Sequence, residues 1–241
     1  METTEGTLLG GRVRYVQPVE GYRTGIEPVF LAACIPARPN ERVLEAGTGA
    51  GAALLCLAHR IPGLVGIGIE RDPDMADLAR RNLTGNDAPF TILKADVTAL
   101  PPLPPAHHVF ANPPWHDPAG TQPSHARRAV ATHRGSGSRE GGLAAWIDAL
   151  VPLATATLTL ILPAALVGEA MARLHAGPLA QLTLHPLWPR TGRPAKIVLI
   201  QATPGAGPTR TAPGVVLHGA GTGYTPAAEA ILRKGEALML S

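Results

Sequence analysis

Short apolar runs and amphipathic stretches alternate along most of this chain. Compact apolar runs bounded by polar or glycine residues predict buried strands, and apolar residues at helical spacing predict helices. The predicted strands cover residues 42–46, 64–70, 90–95, 108–111, 157–162, 180–187 and 197–202. The predicted helices cover residues 28–35, 51–60, 73–84, 143–150, 166–175 and 226–234.

Strands that alternate with helices predict an α/β fold with a parallel sheet and helices on both faces. The last two predicted strands are joined by a short turn, which favours an antiparallel pair. We therefore predict a mostly parallel seven-stranded sheet with an antiparallel last strand, within a domain of residues 41–241. Residues 1–40 are predicted to add a β-hairpin at 8–17 and the first helix, which together cover a cleft at the sheet edge.

Three glycines stand where the first predicted strand meets its helix. They are Gly47, Gly49 and Gly51, and they follow Glu45. Glycine allows a tight turn and a close ligand, and the free N–H groups of a helix start can face electronegative ligand atoms. The spacing fits both dinucleotide-binding and methyltransferase turns. Glu45 favours S-adenosylmethionine, because a carboxylate attracts an ammonium group and repels a pyrophosphate.

Polar residues also end the neighbouring predicted strands. Glu70 follows the glycines at a distance that suits a contact to ribose hydroxyls. Asp96 could accept the amino hydrogen of adenine, and a capping or loop aspartate is the open alternative. Because the carboxyl ends of parallel strands meet at one edge, we expect these side chains to lie together. The candidate cofactor residues are Arg23, Thr24, Glu45, Gly47, Thr48, Gly49, Gly51, Glu70, Arg71, Asp96, Val97 and Asn112.

The sequence Asn112-Pro113-Pro114-Trp115 follows the fourth predicted strand. A planar exocyclic or amide nitrogen is a poor nucleophile because its lone pair is delocalised. The side-chain oxygen of Asn112 and the carbonyl of Pro113 could hold its two hydrogens, and Trp115 could stack on a base. These four residues are the predicted catalytic group. The alternative is a proline turn beside a buried tryptophan.

Composition adds several constraints. The chain has 241 residues, of which 45% are hydrophobic and 16% charged, as in a folded α/β domain. Cys34 and Cys56 lie in apolar runs and predict buried thiols in a reducing compartment, and no metal site is predicted. Residues 149–168 carry no charge, but their prolines and threonines favour a helix end, a turn and a buried strand over a membrane span. The acidic N-terminus does not resemble a signal peptide, so we expect a cytoplasmic protein without a membrane partner.

The net charge is +3, and basic residues cluster in two places. Residues 116–140 show no periodicity and predict either a substrate-ordering lid or a solvated loop. The second cluster is the turn between the last two strands, which predicts either a nucleic-acid contact or a solvated hairpin tip. The candidate contacts to RNA are Arg127, Arg128, Arg134, Arg190, Arg193 and Lys196.

Together these motifs resemble the bacterial valine-tRNA adenine-N6 methyltransferases, a family of class I methyltransferases with a Rossmann-like fold. The resemblance runs through Gln17-Pro18-x-x-Gly21-Tyr22-Arg23, residues 43–49 and Phe110 to Trp115. It continues in Pro189-Arg190-x-Gly192-Arg193-Pro194-Ala195-Lys196 and in His218 with Gly223-Tyr224-Thr225-Pro226. The first motifs are shared with many methyltransferases, and the two C-terminal motifs point to this branch.

The resemblance implies an S-adenosylmethionine-dependent enzyme that flips an anticodon-loop adenine of tRNA into the Asn112–Trp115 pocket and methylates its N6. It also implies that the Glu45–Gly51 loop, Glu70 and Asp96 hold the cofactor. A loop adenine has no base pair to break, so flipping costs only unstacking. The chain departs from the family at Trp115, where phenylalanine or tyrosine is more frequent, and at Glu27, where aspartate is common.

Two other functions fit the same residues. The first is methylation of a glutamine amide in a protein such as a release factor, because that nitrogen needs the same orientation. Such enzymes usually carry an N-terminal helical domain, and here only residues 1–41 precede the first predicted core strand. The second is a module that binds the cofactor and RNA without catalysis, which the intact Asn112–Trp115 motif disfavours.

Overall fold

The computed structural model describes residues 1–20, 23–114 and 142–238. The strands are β1 (Thr3–Leu8), β2 (Val13–Pro18), β3 (Arg42–Ala46), β4 (Val65–Glu70), β5 (Phe90–Lys94), β6 (Ala106–Ala111), β7 (Ala154–Pro163), β8 (Leu179–Trp188), β9 (Ile197–Thr203), β10 (Gly205–Ala206), β11 (Arg210–Thr211) and β12 (Val215–Val216). The helices are α1 (Glu27–Cys34), α2 (Ala52–Arg60), α3 (Pro73–Thr84), α4 (Gly142–Leu150), α5 (Val167–His175) and α6 (Pro226–Lys234).

One large sheet organises the chain, with its long strands in the order β8-β9-β7-β6-β3-β4-β5. All neighbours in this series are parallel except β9, which is antiparallel to both β7 and β8. The predicted mostly parallel seven-stranded sheet with an antiparallel last strand is therefore confirmed. Three two-residue strands, β10, β11 and β12, extend it in parallel along the outer edge of β8.

Apolar side chains of the sheet form a core on each face. One core joins the sheet to α1, α2, α3 and α6, and the other joins it to α4 and α5. Successive residues of β3 divide between them, since Val43 belongs to the first core and Leu44 to the second. The alternation of side chains along a strand explains this division. The predicted helices on both faces are present.

The structure confirms the predicted helix end, turn and buried strand in the uncharged residues 149–168. This stretch comprises the end of α4, a 3₁₀ turn at Val151–Leu153, the buried strand β7 and a second 3₁₀ turn at Ala164–Leu166 before α5. Among the residues described here, no helix combines the length and the apolar character that a membrane span requires.

The N-terminal hairpin is longer than predicted. Its strands are β1 and β2, paired from Thr3 with Pro18 to Leu8 with Val13, so the predicted range 8–17 was misplaced at its start. The strand β1 contains no buried residue, which explains why a search for apolar runs overlooked it. Leu9, Gly10 and Gly11 form the connecting turn with positive φ angles.

Two asparagines attach this hairpin to the domain, Asn82 in α3 and Asn86 just after its end. The side chain of Asn82 accepts a hydrogen bond from the backbone N–H of Val16 at 2.9 Å and donates to its carbonyl at 2.8 Å. One helical turn later, Asn86 makes the same pair of bonds to Arg14, at 3.0 and 2.8 Å. A carboxamide offers one acceptor and two donors, so each asparagine takes the place of a neighbouring strand along β2.

The two asparagines differ in burial, which leads to a prediction for stability. Asn82 is 3% exposed and donates a further bond of 2.9 Å to the carbonyl of Ala50. Asn82→Ala should lower the free energy of unfolding by about 2–4 kcal/mol, because buried backbone groups lose their partners. Asn86→Ala, whose bonds to Arg14 are exposed, should lower it by about 1 kcal/mol. Urea unfolding of both variants measures the difference, and equal losses would contradict this account of the hairpin attachment.

Candidate active site

The carboxyl ends of four adjacent parallel strands form the candidate site. In the register of the sheet, Ala46 of β3 is paired with Ile69 of β4 on one side and with Ala111 of β6 on the other. The next residues are therefore Gly47, Glu70 and Asn112, side by side at one edge. Neighbouring strands lie about 4.8 Å apart, so this register brings the glycine turn and the Asn-Pro-Pro segment together.

The glycine turn is shaped by its backbone and by one tryptophan. Gly47 has a φ of +67°, and a Cβ placed on it would lie 2.8 Å from the ring atom Cη2 of Trp146 in α4. Glycine is therefore required here by both backbone conformation and space. The sequence analysis assigned the predicted helix at 143–150 but did not place Trp146 in the site. Trp146 lies soon after residues 116–140, which show no periodicity, so no sequence motif linked this tryptophan to Gly47.

Glu45 and Thr48 form a buried pair beneath the turn. Glu45 is 3% exposed, and the hydroxyl of Thr48 donates to its carboxyl at 2.6 Å. Burial raises the pKa of Glu45 to about 8, against the opposing effect of hydrogen bonds from Thr48 and from the backbone of Leu54. Both contacts are internal to the protein, so the predicted contact of Glu45 with a ligand ammonium group stays a prediction.

Glu70 connects the end of β4 to the turn. One carboxyl oxygen accepts the N–H of Gly49 at 2.8 Å and the other accepts the N–H of Asp72 at 2.9 Å. Each carboxylate oxygen can accept more than one hydrogen bond, so Glu70 retains acceptor capacity for hydroxyl groups. Gly51, the third glycine, precedes α2 and packs against Ala79 of α3.

Asp96 lies just beyond the end of β5. Its carboxyl accepts bonds from the hydroxyl and the N–H of Thr98, and these bonds lower the pKa of Asp96, with a further contribution from Arg71. The contact with Arg71 is 3.5 Å long, and both side chains are partly exposed. Val97, the next residue, is buried. Asp96 is thus an ionised acceptor at the edge, although it also starts a 3₁₀ turn, as the alternative interpretation held.

The Asn-Pro-Pro segment, residues 112–114, is the last part of the chain described before residue 115. Asn112 is half-buried, Pro113 is buried and Pro114 is exposed. The strand β6 delivers Asn112 at the level of Gly47 through the pairing of Ala111 with Ala46. Trp115, Arg127, Arg128, Arg134 and the predicted loop at 116–140 lie outside the described residues.

Hydrogen bonds connect the segment that follows β2 to β2 itself, and β2 to the glycine turn. Thr24 bonds to the hydroxyl of Tyr15 at 2.7 Å, and its N–H donates to the side chain of Gln17 at 3.1 Å. Asn82 links the same strand, β2, to the carbonyl of Ala50 in the turn. Arg23 is exposed. Asn82 was absent from the candidate set, because an asparagine inside a helical pattern gives no sequence signal for a long-range contact.

One cavity in the described part of the chain lies away from this site. It has a volume of about 290 Å³ and is lined in part by Arg12, His59, Asp87 and Phe90, near the start of β5. The start of β5 lies at the amino edge of the sheet, opposite the strand ends described above. Among the described residues, no group of histidine, cysteine or acidic side chains could hold a metal ion.

These residues suit S-adenosylmethionine. The turn is free of a side chain at Gly47, and Glu70 and Asp96 present carboxylate acceptors from the ends of two adjacent strands. Such acceptors match the ribose hydroxyls and the adenine amino group. The four strand ends and the mostly parallel sheet with antiparallel β9 match the class I methyltransferase fold, in which a ligand binds outside the carboxyl ends of the strands.

Comparison with known proteins agrees with this class. The chain belongs to the family described as the methyltransferase small domain. The model of this family matches residues 27–157, which are more than half of the chain. For a member of this methyltransferase family the cofactor is S-adenosylmethionine, as the sequence analysis predicted. A solved structure described as a predicted O-methyltransferase from Agrobacterium tumefaciens has a TM-score of 0.67 and 25% identity, over 88% of this chain and 98% of that one.

Two relatives carry more specific names. A protein named tRNA1(Val) (adenine(37)-N6)-methyltransferase from Aeromonas salmonicida is 28% identical over 207 residues, which cover 84% of this chain and 85% of the relative. A release factor glutamine methyltransferase from Mycobacterium leprae is 38% identical over 89 residues, which cover 35% of this chain and 30% of the relative. The first similarity covers most of the chain, whereas the second covers about a third of it.

The packing of Trp146 on Gly47 yields a prediction for cofactor binding. Gly47→Ala should weaken binding of S-adenosylhomocysteine about ten- to a hundredfold, because the new methyl group strains the backbone and displaces the ring. Gly63→Ala is the matched control: Gly63 also has a positive φ, of +84°, but its nearest neighbour is Pro39 at 3.7 Å. Isothermal titration calorimetry of both variants tests the prediction. Equal affinities would show that Gly47 does not shape the cofactor site.

The buried carboxyl of Glu45 predicts a pH dependence of stability. Its folded-state pKa of about 8 lies above the value of 4.5 for an exposed carboxyl, so the folded state binds the proton more tightly. Without cofactor, stability should therefore fall as pH rises from about 5 to about 8, by about 1.4 kcal/mol for each unit of pKa difference. Glu45→Gln should remove most of this fall. Thermal unfolding at pH 5 and pH 8 measures it, and parallel pH profiles for both proteins would contradict the prediction.

Proposed function

We propose that this methyltransferase transfers a methyl group to N6 of an adenine in RNA, and that the adenine lies in the anticodon loop of a tRNA. The observation that carries the proposal is the register between β3 and β6, which puts Asn112 beside the glycine turn. Support for the substrate comes from the relative that covers most of the chain, whose name specifies adenine 37 of a valine tRNA. A tRNA substrate also implies a cytoplasmic location.

The chain supplies orientation rather than acid–base chemistry. S-adenosylmethionine provides an electrophilic methyl group on its sulfonium. The side-chain oxygen of Asn112 and the carbonyl of Pro113 accept the two N6 hydrogens and turn the nitrogen lone pair toward that methyl group. Fixing two reactants in this way lowers the entropic part of the barrier. The proton can leave after transfer, so no strong base is required. Trp115 is proposed to stack on the adenine, with Pro114 stiffening the turn.

The remaining candidate residues are proposed to hold the cofactor. The glycine turn, with Glu45 and Thr48, binds the methionyl end of the cofactor. Glu70 and Arg71 bind its ribose. Asp96 and Val97 bind its adenine. Residues 1–40 are proposed to cover this cleft through Arg23 and Thr24, while residues 41–241 form the methyltransferase domain. The bonds of Thr24 to β2, and of Asn82 to both β2 and Ala50, support the covering role, because they link this segment to the glycine turn.

Methylation of a protein glutamine is the second candidate. The same pair of acceptors would orient an amide nitrogen, and the similarity to a release factor glutamine methyltransferase favours this chemistry locally. That similarity spans a third of this chain, whereas the similarity to the tRNA enzyme spans 84% of it. We therefore prefer the RNA substrate.

A methyl-transfer assay tests the proposal. Purified protein and tritiated cofactor are incubated in parallel with bacterial tRNA, DNA and a protein extract, and the labelled RNA is digested for mass spectrometry. We expect N6-methyladenosine from the tRNA fraction alone, within an anticodon-loop fragment. Label on glutamine in the protein fraction would establish the second candidate. Tight cofactor binding without any transfer would favour a non-catalytic module.

The role of Asn112 gives a sharper prediction in the same assay. Asn112→Ala should reduce transfer at least about a thousandfold, because the amine loses one of its two orienting acceptors. Binding of S-adenosylhomocysteine should change less than about threefold, since the turn, Glu70 and Asp96 are intact. Asn112→Asp keeps an acceptor oxygen and should retain part of the activity. Normal turnover by Asn112→Ala would remove this residue from the mechanism.

A further inference from the structure

The turn between β8 and β9 lies at the same edge of the sheet as Asn112. Since β9 is antiparallel to both β7 and β8, these two strands run in the same direction, and Trp188 ends β8 at the carboxyl edge. The strand β7 pairs with Ala111 through Leu160 and with Ile197 through Pro163, three residues further on. At about 3.3 Å per residue and about 4.8 Å per strand, the turn lies roughly 15–20 Å from Asn112 and rises above it.

The C-terminal tail returns to this edge as well. The short strand β12 runs parallel to β8, with Val216 opposite Trp188, so residues 217–225 continue beyond the carboxyl edge. The N–H of Leu217 bonds to the carbonyl of Trp188 at 2.7 Å, and that of His218 bonds to Pro189 at 3.2 Å. The tail and the β8–β9 turn are therefore one continuous surface beside the active site.

Charge is distributed unevenly around this surface. Residues 170–228 contain five arginine and lysine residues and no aspartate or glutamate, although the whole chain has 18 acidic residues. Two of the cations, Arg193 and Lys196, are exposed in the turn and have no carboxylate partner among the described residues. A segment of this length without acidic groups carries a positive potential that attracts polyanions.

Arg190 has a different role from its neighbours in the turn. Its Nη1 atom donates to the carbonyl oxygens of Gly219 and of Gly221, the latter at 2.9 Å. The guanidinium thus fastens the tail loop to the β8–β9 turn. The sequence analysis named Arg190 as an RNA contact, whereas these bonds make it a positioning residue for the loop.

The fastened loop presents a pair of stacked rings. His218 and Tyr224 face each other across a β-bridge, with ring centroids 4.8 Å apart and an interplanar angle of 20°. Tyr224 packs partly against the apolar core, which anchors the pair, and both residues are half-exposed. Flat rings beside cations are the components with which proteins bind single-stranded nucleic acid, since bases stack on the rings and phosphates contact the cations.

We propose that the stacked pair His218–Tyr224 and the cations Arg193 and Lys196 form a docking surface for the single-stranded RNA that flanks the target adenine. This inference rests on the proposed RNA substrate and assigns it a second point of contact. A flipped base needs its neighbours held in place, and the distance of this surface from Asn112 corresponds to a few nucleotides. The surface would bind a base by stacking and the adjoining phosphates by charge, without reading sequence.

Binding and catalysis are measured separately to test this surface. Fluorescence anisotropy with a labelled RNA hairpin, whose loop carries the adenine, gives affinity as a function of salt. His218→Ala should weaken binding about five- to tenfold, and His218→Phe, which keeps a flat ring, should bind like the unchanged protein. The double variant Arg193→Ala, Lys196→Ala should lower the slope of log K against log salt by about 1.4, as expected for two lost phosphate contacts.

A matched control distinguishes the effect of this surface from the effect of positive charge elsewhere in the acid-free segment. Arg210 belongs to the same acid-free segment, but it pairs opposite Thr183 on β8, five residues before Trp188. That places it about 16 Å from the carboxyl edge. Arg210→Ala should leave the salt slope and the affinity within about twofold of the unchanged protein. An equal loss from Arg210→Ala would overturn the proposal, because charge anywhere in the segment would then suffice.

The outcomes also separate this proposal from the proposed function. All variants should bind S-adenosylhomocysteine with unchanged affinity, which verifies their fold. If the unchanged protein methylates tRNA adenine while His218→Ala and the double variant bind the hairpin normally, the docking surface is wrong and the function stands. If the unchanged protein binds the hairpin through these residues but methylates no adenine, the function is wrong and the surface stands. If the unchanged protein fails to bind RNA, the docking surface is wrong.

Discussion

The parallel pairing of β3 with β6 is the constraint on which the site depends. It joins two segments that are more than sixty residues apart and ends both strands at the same level, at Ala46 and Ala111. The glycine turn and Asn112 follow directly, so one register sets both the proposed cofactor turn and the residue proposed to orient the acceptor nitrogen. A slip of one residue would turn Glu45 out of its buried position and displace Asn112.

The N-terminal hairpin depends on the same region through side chains rather than through the sheet. Asn82 bonds to β2 and to the glycine turn at once, so the N-terminal hairpin and the turn share one anchor. These hydrogen bonds are internal to the protein, and they limit how far the hairpin can shift from the glycine turn. The arrangement favours a preformed cofactor site over one assembled on binding.

The antiparallel strand β9 has a corresponding effect on the C-terminal side. This strand lies between β7 and β8 and is antiparallel to both, so the basic turn that joins β8 to β9 lies at the carboxyl edge of the sheet, as Asn112 does. The tail then follows β8 back to that edge, where Arg190 fastens it. Together these features extend the surface at the carboxyl edge on the β8 side of Asn112.

The sequence alone determined the strand and helix order, the glycine turn, the acidic strand ends and the Asn-Pro-Pro motif, because periodicity and short motifs are local properties of the chain. It misplaced the start of the hairpin, since β1 contains no buried residue and lacks an apolar pattern. Only the tertiary structure brought Trp146 onto Gly47, joined Asn82 to both β2 and Ala50, and engaged Arg190 with the tail. Each of these contacts links residues far apart in sequence through one side chain, and the identity of that side chain does not specify its partner.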